Sequence, residues 1–444
     1  METLEKAQKM LEKYPLCDHC LGRQFAFLGY GMDNQERGRV LKTVLTMEAH
    51  LAALEKNKKG ITILKTLATN GAFPMATEIL RKLKRKAEKE KKCLLCKGRF
   101  EALPALVEKA VGMLKDYEYD TFLVGVKLPT EIEEREDEFK AEFEVQYGES
   151  IKNEFSRTAG KMLAQATGKT VEYMKPQLVV LVNPFTEDFR IQANSLFIMG
   201  RYRKLVRNIS QSKWVCRACG GKGCPKCQGT GKMYPESVEE LITGPVMKRN
   251  LGDESLFHGA GREDADARML GRGRPFVVEI RKPHKRTVDL LGLERDINEA
   301  AQGKIEVKGL KIVDREMVRK IKHVESAKKV YRVVVRFGRE ISDEEIGKLE
   351  DALTGVTIFQ QTPTRVIHRR ADRTREKQIY ETKVKRLSQN SIEMKVQCQG
   401  GLYIKELVTG DNGRTEPNVS KIVGAKAEPL ELDVMNVLTK GGKL

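Results

Sequence analysis

Three carboxylates, Glu263, Asp264 and Asp266, stand within four consecutive positions, flanked by Arg262, Arg268, Arg272 and Arg274. A carboxylate held beside guanidinium groups stays ionised and fixed in direction, a state suited to a nucleophile or a base. The same arginines can grip polynucleotide phosphates while the carboxylate works on a sugar or a base. Ion-pair networks also fill ordinary charged turns, so these residues alone leave both readings open. Glycines at 259, 261, 271 and 273 allow tight turns and the close approach of a partner. After Pro275, the run Phe276-Val277-Val278-Glu279-Ile280 predicts a buried strand. The stretch therefore reads as an acidic loop feeding a core strand.

Cysteines carry the second chemical signal. Cys216, Cys219, Cys224 and Cys227 belong to two consecutive CxxCxGxG units. Such thiolates complete a tetrahedral zinc site, and the glycines permit left-handed turns that aim backbone amides at sulfur. Cys17 and Cys20 form one further CxxC pair, Cys93 and Cys96 another. Together they make a plausible second four-cysteine site. A redox pair would sit in a thioredoxin-like βαβ context, which this sequence does not display. His19 is an available substitute ligand, although four cysteines suffice. Four thiolates saturate zinc, so both ions would be structural. Cys398 stands alone near a strand end and reads as a core residue.

Composition bounds the rest. The chain has 444 residues and a net charge of +19 from 81 basic and 62 acidic residues, so it favours a polyanionic partner. No apolar run is long enough to span a bilayer, and the first residues lack the layout of a signal peptide. A cytoplasmic protein without membrane contact is expected, in which nine cysteines point to metal rather than disulfides. No nucleotide-binding glycine motif is evident, so no organic cofactor is expected. Nothing calls for an obligate protein partner.

The periodicities imply a multidomain chain of α/β (α+β) class. Residues 1–99 read as a helical zinc-binding module, with helices over about 36–56 and 74–92. Residues 100–212 alternate helix and strand: helix over Ala102–Tyr117, strand over Thr121–Val126, alternation at Phe143, Val145 and Tyr147, helix over Ser150–Thr167, then Leu178–Val182. Gly200–Lys204 with Arg207 sets cations around an aromatic, which suits either RNA or a solvated basic turn. Residues 213–232 hold the CxxCxGxG insert. Residues 233–444 read as a mixed domain with a substantial antiparallel sheet: a helix over Ser237–Ile242, a turn at Thr243–Pro245, a strand over Val330–Phe337, a helix over Glu344–Leu353 and a hairpin around Ser388–Asn390. The run Arg365–Arg373 carries four arginines beside a proline turn and suggests a phosphate-gripping loop.

Gly261-Arg262-Glu263-Asp264 resembles the Gly-Arg-x-Asp segment that carries the nucleophilic aspartate in one branch of the pseudouridine synthases. The longer run Gly261–Arg274 resembles the archaeal and eukaryotic family that makes pseudouridine at positions 54 and 55 of tRNA. The region 100–212 resembles a THUMP domain, a module that binds the acceptor end of tRNA. The resemblance implies that Asp264 is catalytic, as nucleophile or as base, with Asp266 the second candidate. It implies a tyrosine packed on the target uracil, here Tyr331 in Lys329-Val330-Tyr331. Tyr403-Ile404-Lys405 resembles the segment whose apolar residue flanks the base and whose basic residue pairs with the aspartate. Arg262 would contact substrate, and Leu432 is either a further pocket wall or plain core. The T-loop uridine would have to leave its stack. Ala267 and Met269 stand where many members of the wider class carry a small hydroxyl residue and then a glycine.

Two other classes compete. Another THUMP-bearing tRNA modifier, a methyltransferase or thiolation enzyme, would need a Gly-rich nucleotide loop. A non-catalytic RNA-binding or chaperone-like protein would fit the CxxCxGxG units, which resemble the zinc repeats of J-proteins. It would leave Gly261–Arg274 unexplained, and no His-Pro-Asp tripeptide occurs.

Overall fold

Apolar residues recurring every three or four positions give the N-terminal helices Thr3–Lys13, Asn34–Leu54, Lys58–Thr69, Pro74–Lys82 and Arg99–Leu114. In the computed structural model, which describes residues 3–249, 251–323 and 327–438, they belong to the first of two units, Met1–Asn194. One buried apolar cluster runs from Met10, Leu45 and Leu67 through Leu103 to Phe122 and Val180, so the helical module and the sheet behind it share a core. That sheet is formed by β1 (Thr121–Val126), β2 (Thr170–Val171), β3 (Leu178–Asn183) and β4 (Asp188–Ala193), in the order β2-β1-β3-β4. Ser150 caps the helix Ile151–Thr167 by accepting the Asn153 N–H.

Two local expectations differ from the structure here. The helix expected to reach residue 92 stops at Lys82, and Lys84 takes a left-handed φ of 55°. Beyond it the chain is a run of lysines with few apolar anchors, whose like charges repel along a helix face. The alternation at Phe143, Val145 and Tyr147 makes no strand. The helix Thr130–Glu142 buries Ile132 and Phe139, and these residues follow its end.

The second unit, Ser195–Leu444, is built on a ten-stranded sheet. Its strands are β5 (Leu196–Lys204), β6 (Gly252–Gly259), β7 (Arg268–Pro283), β8 (Ile305–Val313), β9 (Lys328–Phe337), β10 (Thr357–Gln360), β11 (Arg375–Ser388), β12 (Ser391–Cys398), β13 (Thr415–Glu416) and β14 (Ala427–Leu438). They lie in the order β13-β10-β11-β12-β9-β14-β7-β5-β8, with β6 paired to β7. β14 runs antiparallel to β9 along its length, but meets β7 in parallel at only Asp433–Arg268 and Val434–Met269. That short seam joins two half-sheets with separate cores. One core contains Val333, Ile379, Val396 and Leu407, the other Ile198, Phe276, Val278 and Val307. Tyr331 packs against both.

Gly200–Lys204 is not a basic turn but part of β5, with Tyr202 and Lys204 buried. The ten-stranded sheet thus begins within the stretch assigned to 100–212. The turn expected at Thr243–Pro245 lies inside the helix Val238–Lys248, where burial of Ile242 and Val246 outweighs the interrupted hydrogen bond at Pro245. The helix Asp343–Leu353 starts with a reciprocal cap between Ser342 and Glu345. Among the described residues no helix is long and apolar enough to cross a membrane.

Candidate active site

The acidic loop occupies residues 260–267 between β6 and β7, directly before the seam. Its neighbouring carboxylates have opposite fates. The Glu263 side chain is fully buried and accepts the Arg274 Nε–H at 2.8 Å and the Tyr202 hydroxyl at 3.0 Å. Burial, together with the facing Glu263, pushes the Tyr202 hydroxyl well above its ordinary pKa, so it stays a donor. Gln211 Nε2 donates to the Tyr202 hydroxyl at 2.7 Å and to the Gly261 carbonyl at 2.8 Å. From below, the buried Lys204 ammonium donates to the carbonyls of Ile209, Asp264 and Ala265 at 2.8, 3.1 and 3.0 Å. The middle of the loop is therefore clamped by buried donors, while Ala260 and Ala267 at its ends pack into apolar cores.

At the seam, buried Asp433 gathers three arginines. Arg207 reaches it at 2.7 Å, Arg268 at 2.8 Å and Arg332 at 3.0 Å. Arg207 also donates to the carbonyls of Asp266 and Leu432, fixing the far end of the loop to β14. Gly271 is required at this crossing: its φ is 57°, and a Cβ there would sit 1.9 Å from the Met435 carbonyl oxygen.

Above the loop opens a cavity of about 410 Å³. Its lining includes every residue expected to touch substrate: Arg262, Asp264, Tyr331, Tyr403, Ile404, Lys405 and Leu432. Ile404 and Leu432 are buried wall residues, and Tyr331 projects from β9 between β12 and β14. Burial pushes the Tyr331 hydroxyl upward, so it remains protonated at neutral pH. Lys329, Arg365, Arg370, Arg375 and Lys377 line the same space, which makes the cavity strongly cationic.

Asp264 is a partly exposed carboxylate of the loop. Arg365 forks onto it, Nη2 to Oδ2 at 3.1 Å and Nη1 to Oδ1 at 3.3 Å. Lys405, expected as its partner, stands 3.6 Å from Oδ2 and makes its shorter contact, 2.6 Å, with Asp266. Burial alone would raise the Asp266 pKa, but Lys405 outweighs it and holds that carboxyl below its usual range. Arg365 is steadied in turn by buried Glu406, at 2.6 Å from Nε. So one member of the expected phosphate-gripping loop binds protein carboxylates, and another, Arg370, donates to the Tyr403 hydroxyl at 3.1 Å. The side chain of Arg369 lies outside the described residues. Sequence reading missed Arg365 as the partner of Asp264, and it missed Gln211 and the buried place of Lys204 beneath the loop. A pairing across 101 residues leaves no periodic trace.

The cysteines gather as their spacing implied. The Sγ atoms of Cys17, Cys20, Cys93 and Cys96 lie within 4.8 Å of one another, and so do those of Cys216, Cys219, Cys224 and Cys227. Four thiolates around one tetrahedral zinc stand about 3.8 Å apart. The Cys216–Cys224 and Cys219–Cys227 separations are 3.9 and 3.8 Å. The amides of Cys224 and Gly231 point at the Cys227 sulfur at 3.1 and 3.3 Å, as they would toward a metal-bound thiolate. Both donor sets fit a closed four-coordinate metal.

Comparison with known proteins covers nearly the whole chain. The family description "Pus10, C-terminal" matches residues 197–438, and "Pus10 THUMP domain, archaeal" matches residues 106–183. The tRNA pseudouridine synthase Pus10 of Methanocaldococcus jannaschii is 44% identical, over 98% of this chain and 95% of its own. That of Methanothrix thermoacetophila is 40% identical, over 98% and 94%.

Proposed function

We propose, from the premise that the chain belongs to the Pus10 family, that it is a tRNA pseudouridine synthase isomerising uridine 55, and uridine 54, of the T-loop. The observation that carries this reading is Asp264, forked by Arg365, facing a cationic cavity walled by Tyr331, Ile404 and Leu432.

The reaction breaks the bond between C1′ and N1 of uridine and forms a bond between C1′ and C5. N1 gains a proton and C5 loses one, with no net redox change. The target must first leave its stack, and the apolar walls receive the flat uracil once water is displaced. Arg365 holds the Asp264 carboxylate aimed into the cavity, whether it attacks C1′ or removes a proton to start the cleavage. Tyr331 packs on the ring and offers its protonated hydroxyl. Ile404 flanks the base, Lys405 pairs with the loop aspartates, and Arg262 faces the sugar-phosphate chain. The surrounding cations take up tRNA, and residues 106–183 take its acceptor end. Both four-cysteine sites hold structural zinc, which stabilises the fold and takes no part in the reaction. The cytoplasm, where tRNA resides, is the proposed compartment.

The test uses a tRNA transcript without modifications, incubated with wild type and with Asp264→Asn, then mapped for pseudouridine. Product at 55 and 54 from wild type, and none from a variant that binds RNA equally, is expected. Binding without product from wild type would return the non-catalytic RNA-binding reading. Product surviving in Asp264→Asn would move the role to Asp266.

A further inference from the structure

Trp214 is the only tryptophan in the chain. It immediately precedes the four-cysteine ribbon and lines the cavity beside Gly261 and Arg262. Its placement follows from the ribbon. The Trp214 carbonyl accepts the Met233 N–H at 2.9 Å, and Val215 pairs with Lys232 in an antiparallel bridge. The Tyr234 ring meets the indole edge-on at 5.7 Å. The two chain segments at the base of the ribbon thus close on Trp214, and the metal-binding cysteines close those segments.

The ribbon and its base make two contacts at the cavity. The Arg262 guanidinium lies over the Trp214 ring at 5.9 Å. Arg217 Nη2 lies 3.3 Å from His368 Nε2, on the short helical turn Thr364–Arg369 that also carries Arg365. A half-buried indole at the wall of a cationic cavity has the character of a stacking platform for single-stranded nucleic acid. A uridine drawn into the cavity leaves its neighbour with one uncovered face, which an aromatic ring can cover.

We propose that Trp214 is a substrate-binding residue that stacks on a nucleobase flanking the target uridine. Arg262 holds the phosphate between the two nucleotides, and the ribbon serves to fix the indole in the cavity wall. The inference rests on the synthase reading above and deepens it by assigning a second base subsite.

The experiment uses the full, metal-loaded protein and an unmodified tRNA transcript, with intrinsic fluorescence reporting on the single indole. Saturable quenching by tRNA is expected. Trp214→Ala should raise the KM for tRNA about tenfold, the range of one base-aromatic stack, with a smaller change in kcat. Trp214→Phe should stay within threefold of wild type in both. Trp214→Leu, which keeps bulk without a stacking face, replaces the alanine variant if that one fails to fold, and should show the same rise. Cys224→Ser should shift the indole emission before any RNA is added and then raise KM in the same sense. A KM within twofold of wild type in the Ala or Leu variant overturns the proposal. So does an effect confined to kcat, or emission unmoved by saturating tRNA. No pseudouridine from wild type sinks the synthase reading and this inference together, whereas wild-type activity with an unaltered Trp214→Ala KM sinks the inference alone.

Discussion

Arg365 and Asp264 meet as a two-pronged pair, at 3.1 and 3.3 Å, across 101 residues of sequence. Lys405 stands farther off, at 3.6 Å, and spends its short contact on Asp266. A preorganised charge aimed at a reacting group contributes about 10²–10³-fold when removed singly. Arg365→Met should therefore lower kcat by about that factor, and Lys405→Met by less. Single-turnover pseudouridine formation at saturating enzyme separates this from weaker RNA binding. The opposite order would make Lys405 the residue that orients the aspartate.

Glu263 and Asp264 are adjacent in sequence but stand in different environments. The first is fully buried against Arg274, the second partly open to the cavity. Removing one charge of a buried pair strands the other, at about 3–5 kcal/mol. Glu263→Gln should lose that much in denaturant unfolding, whereas Asp264→Asn should stay within about 1 kcal/mol of wild type. Equal stability of the two variants would show that the loop is not anchored through Glu263.

This contrast marks how far the sequence could be read. The acidic loop and the cysteine clusters followed from motif and spacing, because a turn or a CxxC pair is a local pattern. The residues facing the cavity followed only from the resemblance to the pseudouridine synthases. Which carboxylate lies inward did not follow, since it depends on Tyr202 and Gln211, both from outside the motif. As a sequence, Tyr202 and Lys204 suit either an RNA-facing segment or a solvated basic turn, because their neighbours are arginines. In β5 the alternating pattern turns Tyr202 and Lys204 into the core under the loop. Lys405 does pair with Asp264, but the closer cation went unseen for the same reason: Arg365 looks like one member of a charge run until Glu406 aims it.

Lys204 is a latch that can be titrated. Burial lowers its pKa to about 8, against 10.5 for an ordinary lysine, even with Glu263, Asp266 and Asp264 nearby. Below pH 8 folded and unfolded chains both carry the proton. Between about 8 and 10.5 the unfolded chain binds more protons, so this group's contribution to the unfolding free energy rises with pH. Function should move the other way, because the neutral amine holds the Ile209, Asp264 and Ala265 carbonyls less strongly. The prediction is a decline in kcat above pH 8 that Lys204→Arg shifts upward. The ratio of the two rates cancels any titration of the RNA. A pH-independent ratio from 7 to 9.5 would remove Lys204 from the list of positioning residues.

Metal removal should divide the two cysteine sites by where they lie. Cys20, Cys93 and Cys96 belong to the continuous core of the first unit, alongside Leu16, Leu21 and Leu95. The 216–227 set sits in a largely exposed ribbon, held internally by amides pointing at Cys227. A structural zinc stabilises whatever packs against its ligands, so loss at the first site should propagate and loss at the second should remain local. Elemental analysis should find two zinc ions per chain, and one in either single-site variant. Cys20→Ser should lower the melting temperature by about 10 °C or more, with loss of helical signal. Cys224→Ser should shift it by no more than about 3 °C while altering the indole emission. A large melting shift from Cys224→Ser would mean that the ribbon supports the fold of the second unit as well as the cavity wall. A small shift from Cys20→Ser would mean that the apolar core alone, without metal, holds the helices Thr3–Lys13, Asn34–Leu54 and Arg99–Leu114 together.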